Sequence, residues 1–173
     1  MKSLTAFNLA AWIDKHRDQL KPPVCNQQVF EEDDFIVMIV GGPNSRQDYH
    51  VDEGPELFYQ IEGRMVLQVI DGGERKDINI GEGEMLLLPP RVPHSPQRFA
   101  DTVGLVVERK RLDHELDGFM WFCGNCNNKL YEESVYVDDI VEQLPPIFDR
   151  FYSSKKHRRC DECGSVMPRP GAS

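Results

Sequence analysis

His50, Glu56 and His94 offer two imidazoles and one carboxylate. That donor set makes a facial triad, which suits non-haem Fe(II) and leaves positions open for a substrate and for O2. His50 and Glu56 flank Asp52-Glu53-Gly54-Pro55, a turn-like stretch that can bring them to adjacent strand ends. His94 follows Pro89-Pro90-Arg91-Val92-Pro93, a stiff loop. One negative charge among three ligands leaves a bound Fe(II) net positive, which favours an anionic chelating substrate. Taken singly, each residue has an ordinary reading: a core histidine, a solvated carboxylate, a loop histidine. The argument rests on their combination.

A second constellation is Cys123-x-x-Cys126 with Cys160-x-x-Cys163. No signal-like apolar region follows Lys2, so the expected location is cytoplasmic and reducing. In that setting paired knuckles read as a metal site rather than as disulfides. Four thiolates hold Zn or Fe tetrahedrally. The expected role is structural, pinning the C-terminal segment, and Cys25 is left as a bystander thiol.

The elements that must position these groups are mostly strands. Asn8 is a suitable N-cap for a helix presenting Leu9, Trp12, Ile13 and Leu20, which Pro22 and Pro23 end. Phe35 to Val40, Glu56 to Ile61, Arg64 to Ile70, Lys76 to Ile80 and Thr102 to Arg109 read as strands, with a hairpin at Asp71-Gly72-Gly73. Met85 to Leu88 reads as a short buried apolar strand. Short strands between glycine- and proline-bearing turns predict an antiparallel sandwich or barrel. Lys129 to Val137 reads as a further strand. Asp138 to Leu144 reads as an aspartate-capped helix broken at Pro145-Pro146, with Ile147 to Tyr152 resuming it. The expected division is a catalytic domain over 1–112, including the N-terminal helix, and a C-terminal extension over 113–173.

Composition excludes several classes of partner. The 173 residues carry a net charge of −9 and a pI near 5.0, against nucleic acid as the main partner. Lys155 to Arg159, beside Cys160, reads as a solvated flank. The longest apolar run, Phe35 to Val40, is too short to span a membrane.

Gly83, Pro89 and His94 match the spacing of the second cupin motif, and His50, Glu56 and Gly63 match the first. Asp52 stands where a second histidine is usual, Arg91 where glycine is, and Arg98 where asparagine is. The ligand count therefore falls to three unless Asp52 binds too. Within the cupins the chain resembles the 3-hydroxyanthranilate 3,4-dioxygenase family. The resemblance is carried by Leu20-Lys21-Pro22-Pro23-Val24-x-Asn26, Val40-Gly41-Gly42-Pro43-Asn44-x-Arg46-x-Asp48-Tyr49-His50, Glu56-x-Phe58-Tyr59-Gln60, Leu88-Pro89-Pro90-x-Val92-Pro93-His94-Ser95-Pro96-Gln97-Arg98 and Val107-Glu108. The knuckles resemble those of bacterial and fungal members, which carry a rubredoxin-like iron site and form homodimers.

The resemblance implies a mainly β fold, a cupin jelly-roll barrel, and Fe(II) on His50, Glu56 and His94. It implies 3-hydroxyanthranilate and O2 as substrates, cleavage of the 3,4 bond, and a semialdehyde product that closes to quinolinate, in NAD biosynthesis or in aromatic catabolism. It implies iron, with zinc able to substitute, on Cys123, Cys126, Cys160 and Cys163. Arg46 and Arg98 match the residues that hold the substrate carboxylate, and Glu108 the one at its chelating edge, beside Glu56. The chemistry agrees, since arginine's planar fork suits a carboxylate. A glutamate beside Val106 and Val107, if turned inward, has its pKa raised by burial and can accept the phenol proton. Asp48 is a candidate to orient either Arg46 or a metal ligand. Two other readings stand beside this one: a cupin isomerase or dioxygenase of another substrate, and a non-catalytic cupin that senses a small carboxylate.

Overall fold

Alternating apolar residues build two antiparallel sheets whose inner faces enclose a barrel. The computed structural model describes residues 5–22, 25–30, 34–137 and 140–170. One sheet takes β1 (Asn26–Gln28), β2 (Phe35–Gly41), β4 (Glu56–Glu62), β7 (Met85–Leu88) and β9 (Val103–Arg109), in the spatial order β1-β2-β9-β4-β7. The other takes β3 (Asp48–Val51), β5 (Met65–Asp71), β6 (Glu74–Ile80), β8 (His94–Arg98), β10 (Asp117–Phe122) and β11 (Lys129–Val135), in the order β11-β10-β3-β8-β5-β6. This is the two-sheet β barrel expected of a cupin.

Inside the barrel Phe58, Met65, Leu67, Val69, Leu88 and Val106 form one buried cluster. Gly72 and Gly73, both at positive φ, make the β5–β6 hairpin that brings Ile78 and Ile80 back over it. The N-terminal helix α1 (Leu9–His16) starts where Asn8 Oδ1 accepts the Ala11 N–H at 2.9 Å. With the 3-10 turn Arg17–Leu20 it covers the outer face of the first sheet, burying Ile13 and Leu20 against Ile39 and Val103.

Two expectations are corrected. Met85 and Leu87 are exposed, at 66% and 63%. β7 is an edge strand, so alternation turns them outward while Leu88 packs inside. Pro145 and Pro146 do not break the helix; they lie within α2 (Ile140–Ser153). Downstream of them Ile147 and Phe151 are buried against Trp121, which stacks on Phe151 at 4.4 Å between ring centroids. That packing overrides the local preference against proline. Pro23 and the Asp138-Asp139 cap lie outside the described residues.

Beyond residue 112 the chain keeps contributing to the barrel. β10 pairs with β3, setting Phe119 opposite His50. The second knuckle follows α3 (Lys155–Arg158).

Candidate functional site

Strand register makes the site. In the second sheet His50 on β3 stands directly opposite His94, the first residue of β8. In the first sheet Glu56 on β4 stands directly opposite Glu108 on β9. Both pairs face the barrel interior, where they line a cavity of about 200 Å³ with Phe58, Val106 and Phe119. That is more than the ~150 Å³ that accommodates benzene. Like charges directly opposite on neighbouring strands are destabilising. Two buried glutamates so placed therefore require cations near them.

The imidazoles are held from behind. His94 Nδ1 donates to the Val92 carbonyl at 3.0 Å, leaving Nε2 at 3.1 Å from Glu56 Oε1. His50 Nε2 donates to Asp117 Oδ2 at 2.8 Å, leaving Nδ1 at 3.6 Å from the same Glu56 oxygen. These roles follow from the hydrogen-bond network. The three donor atoms lie within 4.8 Å of one another. Glu56 Oε1 is buried, and no hydrogen bond satisfies it while the two ring nitrogens that face it carry no proton. An orphaned carboxylate oxygen is costly to bury unless a cation meets it. Two neutral imidazoles and this carboxylate fit one divalent metal ion. Without the metal, burial works against charge on both partners. Even so, His94 and His50 hold Glu56 well below the usual carboxylate range, and Asp117 with Glu56 raises His50 to about 9.

The same cavity holds a buried cation, Arg98, with no carboxylate paired to it among the described residues. Arg98 follows His94 along the inward face of β8 and is 5% exposed. Its nearest partner is Gln60 Oε1 at 3.4 Å, and among the described residues no carboxylate pairs with it. Burial alone pulls its pKa down to about 10. Arg46 also lines the cavity, but Asp48 engages its guanidinium. Glu108 is 6% exposed, and burial raises its pKa despite a nearby arginine. Cys25 lines the cavity, as do Val137 and Leu144 from the C-terminal segment.

Asp52 is engaged elsewhere. Its Oδ1 accepts the Gly54 N–H at 2.7 Å, and it groups with Glu56 and Glu108 rather than with the histidines. Sequence reasoning missed two site residues, Asp117 and Arg111. Arg111 is 9% exposed and meets Asp117, Glu108 and Asp52. The available signal was an acidic residue at the start of an apolar run, Asp117-Gly118-Phe119-Met120-Trp121-Phe122, just after a mixed-charge stretch.

The four cysteines converge as expected. Cys123 Sγ lies 3.6 Å from Cys163 Sγ, and Cys126 Sγ lies 3.4 Å from Cys160 Sγ. These distances are far too long for disulfides. They approach the roughly 3.8 Å edge of a tetrahedron with ~2.3 Å metal–sulfur bonds. Each knuckle turns on a left-handed residue after its second cysteine, Asn127 at φ 61 and Gly164 at φ 75. Asparagine and glycine are the residues that tolerate that region. A larger hollow of about 350 Å³ lies between barrel and knuckles, against Tyr49, Gln68 and Arg75. Among the described residues no further group of metal-ligating side chains faces it, so the chemistry belongs to the smaller cavity.

Residues 1–152 match the family described as 3-hydroxyanthranilic acid dioxygenase. The chain is 56% identical over 164 residues to a 3-hydroxyanthranilate 3,4-dioxygenase of Xanthomonas campestris pv. campestris (strain 8004), covering 95% of this chain and 93% of that protein. It is 50% identical over 169 residues to one of Jannaschia sp. (strain CCS1), covering 97% and 94%. Among solved structures, a cupin-2 domain containing protein from Shewanella frigidimarina aligns with a TM-score of 0.46 at 17% identity, over 57% of this chain and 92% of that one.

Proposed function

We propose, from the premise that this chain belongs to the 3-hydroxyanthranilic acid dioxygenase family, that it opens the ring of 3-hydroxyanthranilate with O2 at the His50–Glu56–His94 site. The observation that carries this reading is one cavity of ring size that holds both the His50–Glu56–His94 cluster and a buried Arg98 with no carboxylate paired to it among the described residues. The site is built for a small molecule that brings a carboxylate to one end and metal-binding groups to the other.

His50, Glu56 and His94 would hold Fe(II), and bound iron supplies Lewis acidity and one-electron chemistry toward O2. The chain's own residues do the rest. Arg98, with Arg46 at the rim, receives the carboxylate, and Asp48 keeps Arg46 aimed. Glu108, its pKa raised by burial, accepts the proton from the ring hydroxyl as the substrate settles. Phe58, Val106 and Phe119 pack the ring and exclude water. Both oxygen atoms enter the product, so no external reductant is needed. The cysteine site would hold iron or zinc and pin the C-terminal segment, whose Val137 and Leu144 border the cavity. A homodimer, a cytoplasmic location and a place in quinolinate formation or aromatic catabolism complete the reading, supported by the sequence resemblance.

The test is anaerobic reconstitution with Fe(II), then 3-hydroxyanthranilate and air. The expected result is oxygen uptake stoichiometric with a ring-opened chromophore. No uptake with iron bound at the histidine–glutamate site would overturn the assignment.

A further inference from the structure

Arg111 sits in the turn between β9 and β10, where the sequence reads Arg109-Lys110-Arg111-Leu112-Asp113-His114-Glu115. The run looks like a solvated charged loop, and Arg109 behaves that way, pairing with Glu115. Arg111 does not. Its side chain is 9% exposed and surrounded by acids. Nε donates to Asp117 Oδ1 at 2.9 Å and Nη2 to Asp117 Oδ2 at 2.9 Å, a two-pronged grip. Nη1 donates to Glu108 Oε1 at 2.8 Å, and Nη2 lies 3.3 Å from Asp52 Oδ2. Asp117 Oδ2 is the same oxygen that accepts from His50 Nε2.

We infer that Arg111 is a positioning residue that locks the substrate-facing Glu108 and the Asp117-held ligand His50 into one rigid unit. The inference rests on the functional reading above. One planar guanidinium spans the gap between the carboxylate that meets substrate and the carboxylate that orients a metal ligand. Glu108 and Glu56 stand opposite each other on adjacent strands, so Glu108 needs a fixed counter-charge on its far side, and Arg111 provides it. Asp117 faces His50 with its ring N–H already engaged, which sets which nitrogen meets the metal. A lysine cannot reproduce this, because an ammonium is a point charge and not a fork.

The test compares Arg111→Gln and Arg111→Lys in the full chain, alone and in Asp117→Asn and Glu108→Gln backgrounds. Two quantities are read: Co(II) affinity at the histidine–glutamate site by chelator competition, with cysteine-bound metal counted separately, and the KM and kcat for 3-hydroxyanthranilate with Fe(II). Arg111→Gln is expected to weaken metal affinity by about 10- to 100-fold, the usual effect of losing a partner behind a ligand. It should also raise KM. The metal effect should vanish in the Asp117→Asn background and the KM effect in the Glu108→Gln background. Arg111→Lys should recover one quantity but not both.

Wild-type values of both quantities in Arg111→Gln overturn the inference, whatever the melting temperature does. So do losses that simply add to those of Asp117→Asn and Glu108→Gln. If Arg111→Gln fails to fold, full recovery of both quantities in Arg111→Lys overturns it instead. Failure of the wild-type enzyme to consume O2 refutes the assigned reaction and leaves the metal-affinity arm intact, so the two failures are distinguishable.

Discussion

Replacing Arg98 with methionine should make the protein more stable and the enzyme worse. Burial alone pulls the pKa of Arg98 down from the ordinary guanidinium range to about 10. At roughly 1.4 kcal/mol per unit, holding that cation in the fold costs about 3 kcal/mol. The sign follows from the direction. A base whose folded pKa is lowered penalises folding at every pH below that pKa, and the penalty is relieved only as pH rises above about 10. At neutral pH it applies in full. Methionine removes the charge and keeps most of the volume. It leaves the Gln60 carbonyl without its 3.4 Å contact to Nη1, a loss of about 1 kcal/mol for so long a bond. The net gain is about 2 kcal/mol, which raises the melting temperature of ligand-free protein by roughly 4–8 °C for a chain of this size. Binding moves the other way. A substrate carboxylate brought to a site without its buried arginine loses about 3 kcal/mol, roughly a hundredfold in KM. Calorimetry of the metal-loaded, substrate-free protein and steady-state oxygen uptake provide the two readouts. Lower stability with an unchanged KM would make Arg98 a structural residue and refute the reasoning.

Glu56→Ala should leave the histidine–glutamate site without metal while the cysteine site keeps its own, as read by metal analysis; full metal at both would show the triad to be wrong. His50 must lose the proton that burial opposes and Asp117 and Glu56 hold to about pH 9 before Nδ1 can bind metal. Apparent Co(II) affinity at this site should therefore rise about tenfold per pH unit up to that point, and a pH-independent affinity would contradict it. Gly104→Ala would put a methyl 2.5 Å from Arg98 Nη1, so KM should rise with little change in metal content. Cys160→Ser should empty the four-sulfur site and loosen the Trp121–Phe151 core, seen as lower thermal stability and faster amide exchange in α2.

The triad was legible in the sequence because strand geometry leaves a spaced imprint. His50 and Glu56 sit at the ends of two consecutive strands, and His94 must follow a rigid proline loop to reach them. Each of the three falls where the cupin motifs put a ligand, so their types and spacing, together with that resemblance, pointed to the chemistry. The cysteine knuckles were legible for the same reason, since each pair turns within a few residues. Helix α1 announced itself through Asn8 and its apolar stripe.

What the sequence could not decide depends on which strands meet. Met85 and Leu87 look like core until β7 proves to be an edge strand, and edge position is a property of the whole sheet. Pro145 and Pro146 look like a break until the Trp121 cluster holds the helix together around them. Arg111 and Asp117 look like surface charge in a mixed run. Only the pairing of β10 with β3 brings Asp117 behind His50, and only then is a guanidinium needed to join it to Glu108. Local spacing marked His50, Glu56 and His94 as candidate metal ligands; long-range strand pairing chose the residues packed behind them, because burial and charge neutralisation belong to the assembled barrel and not to any stretch of chain.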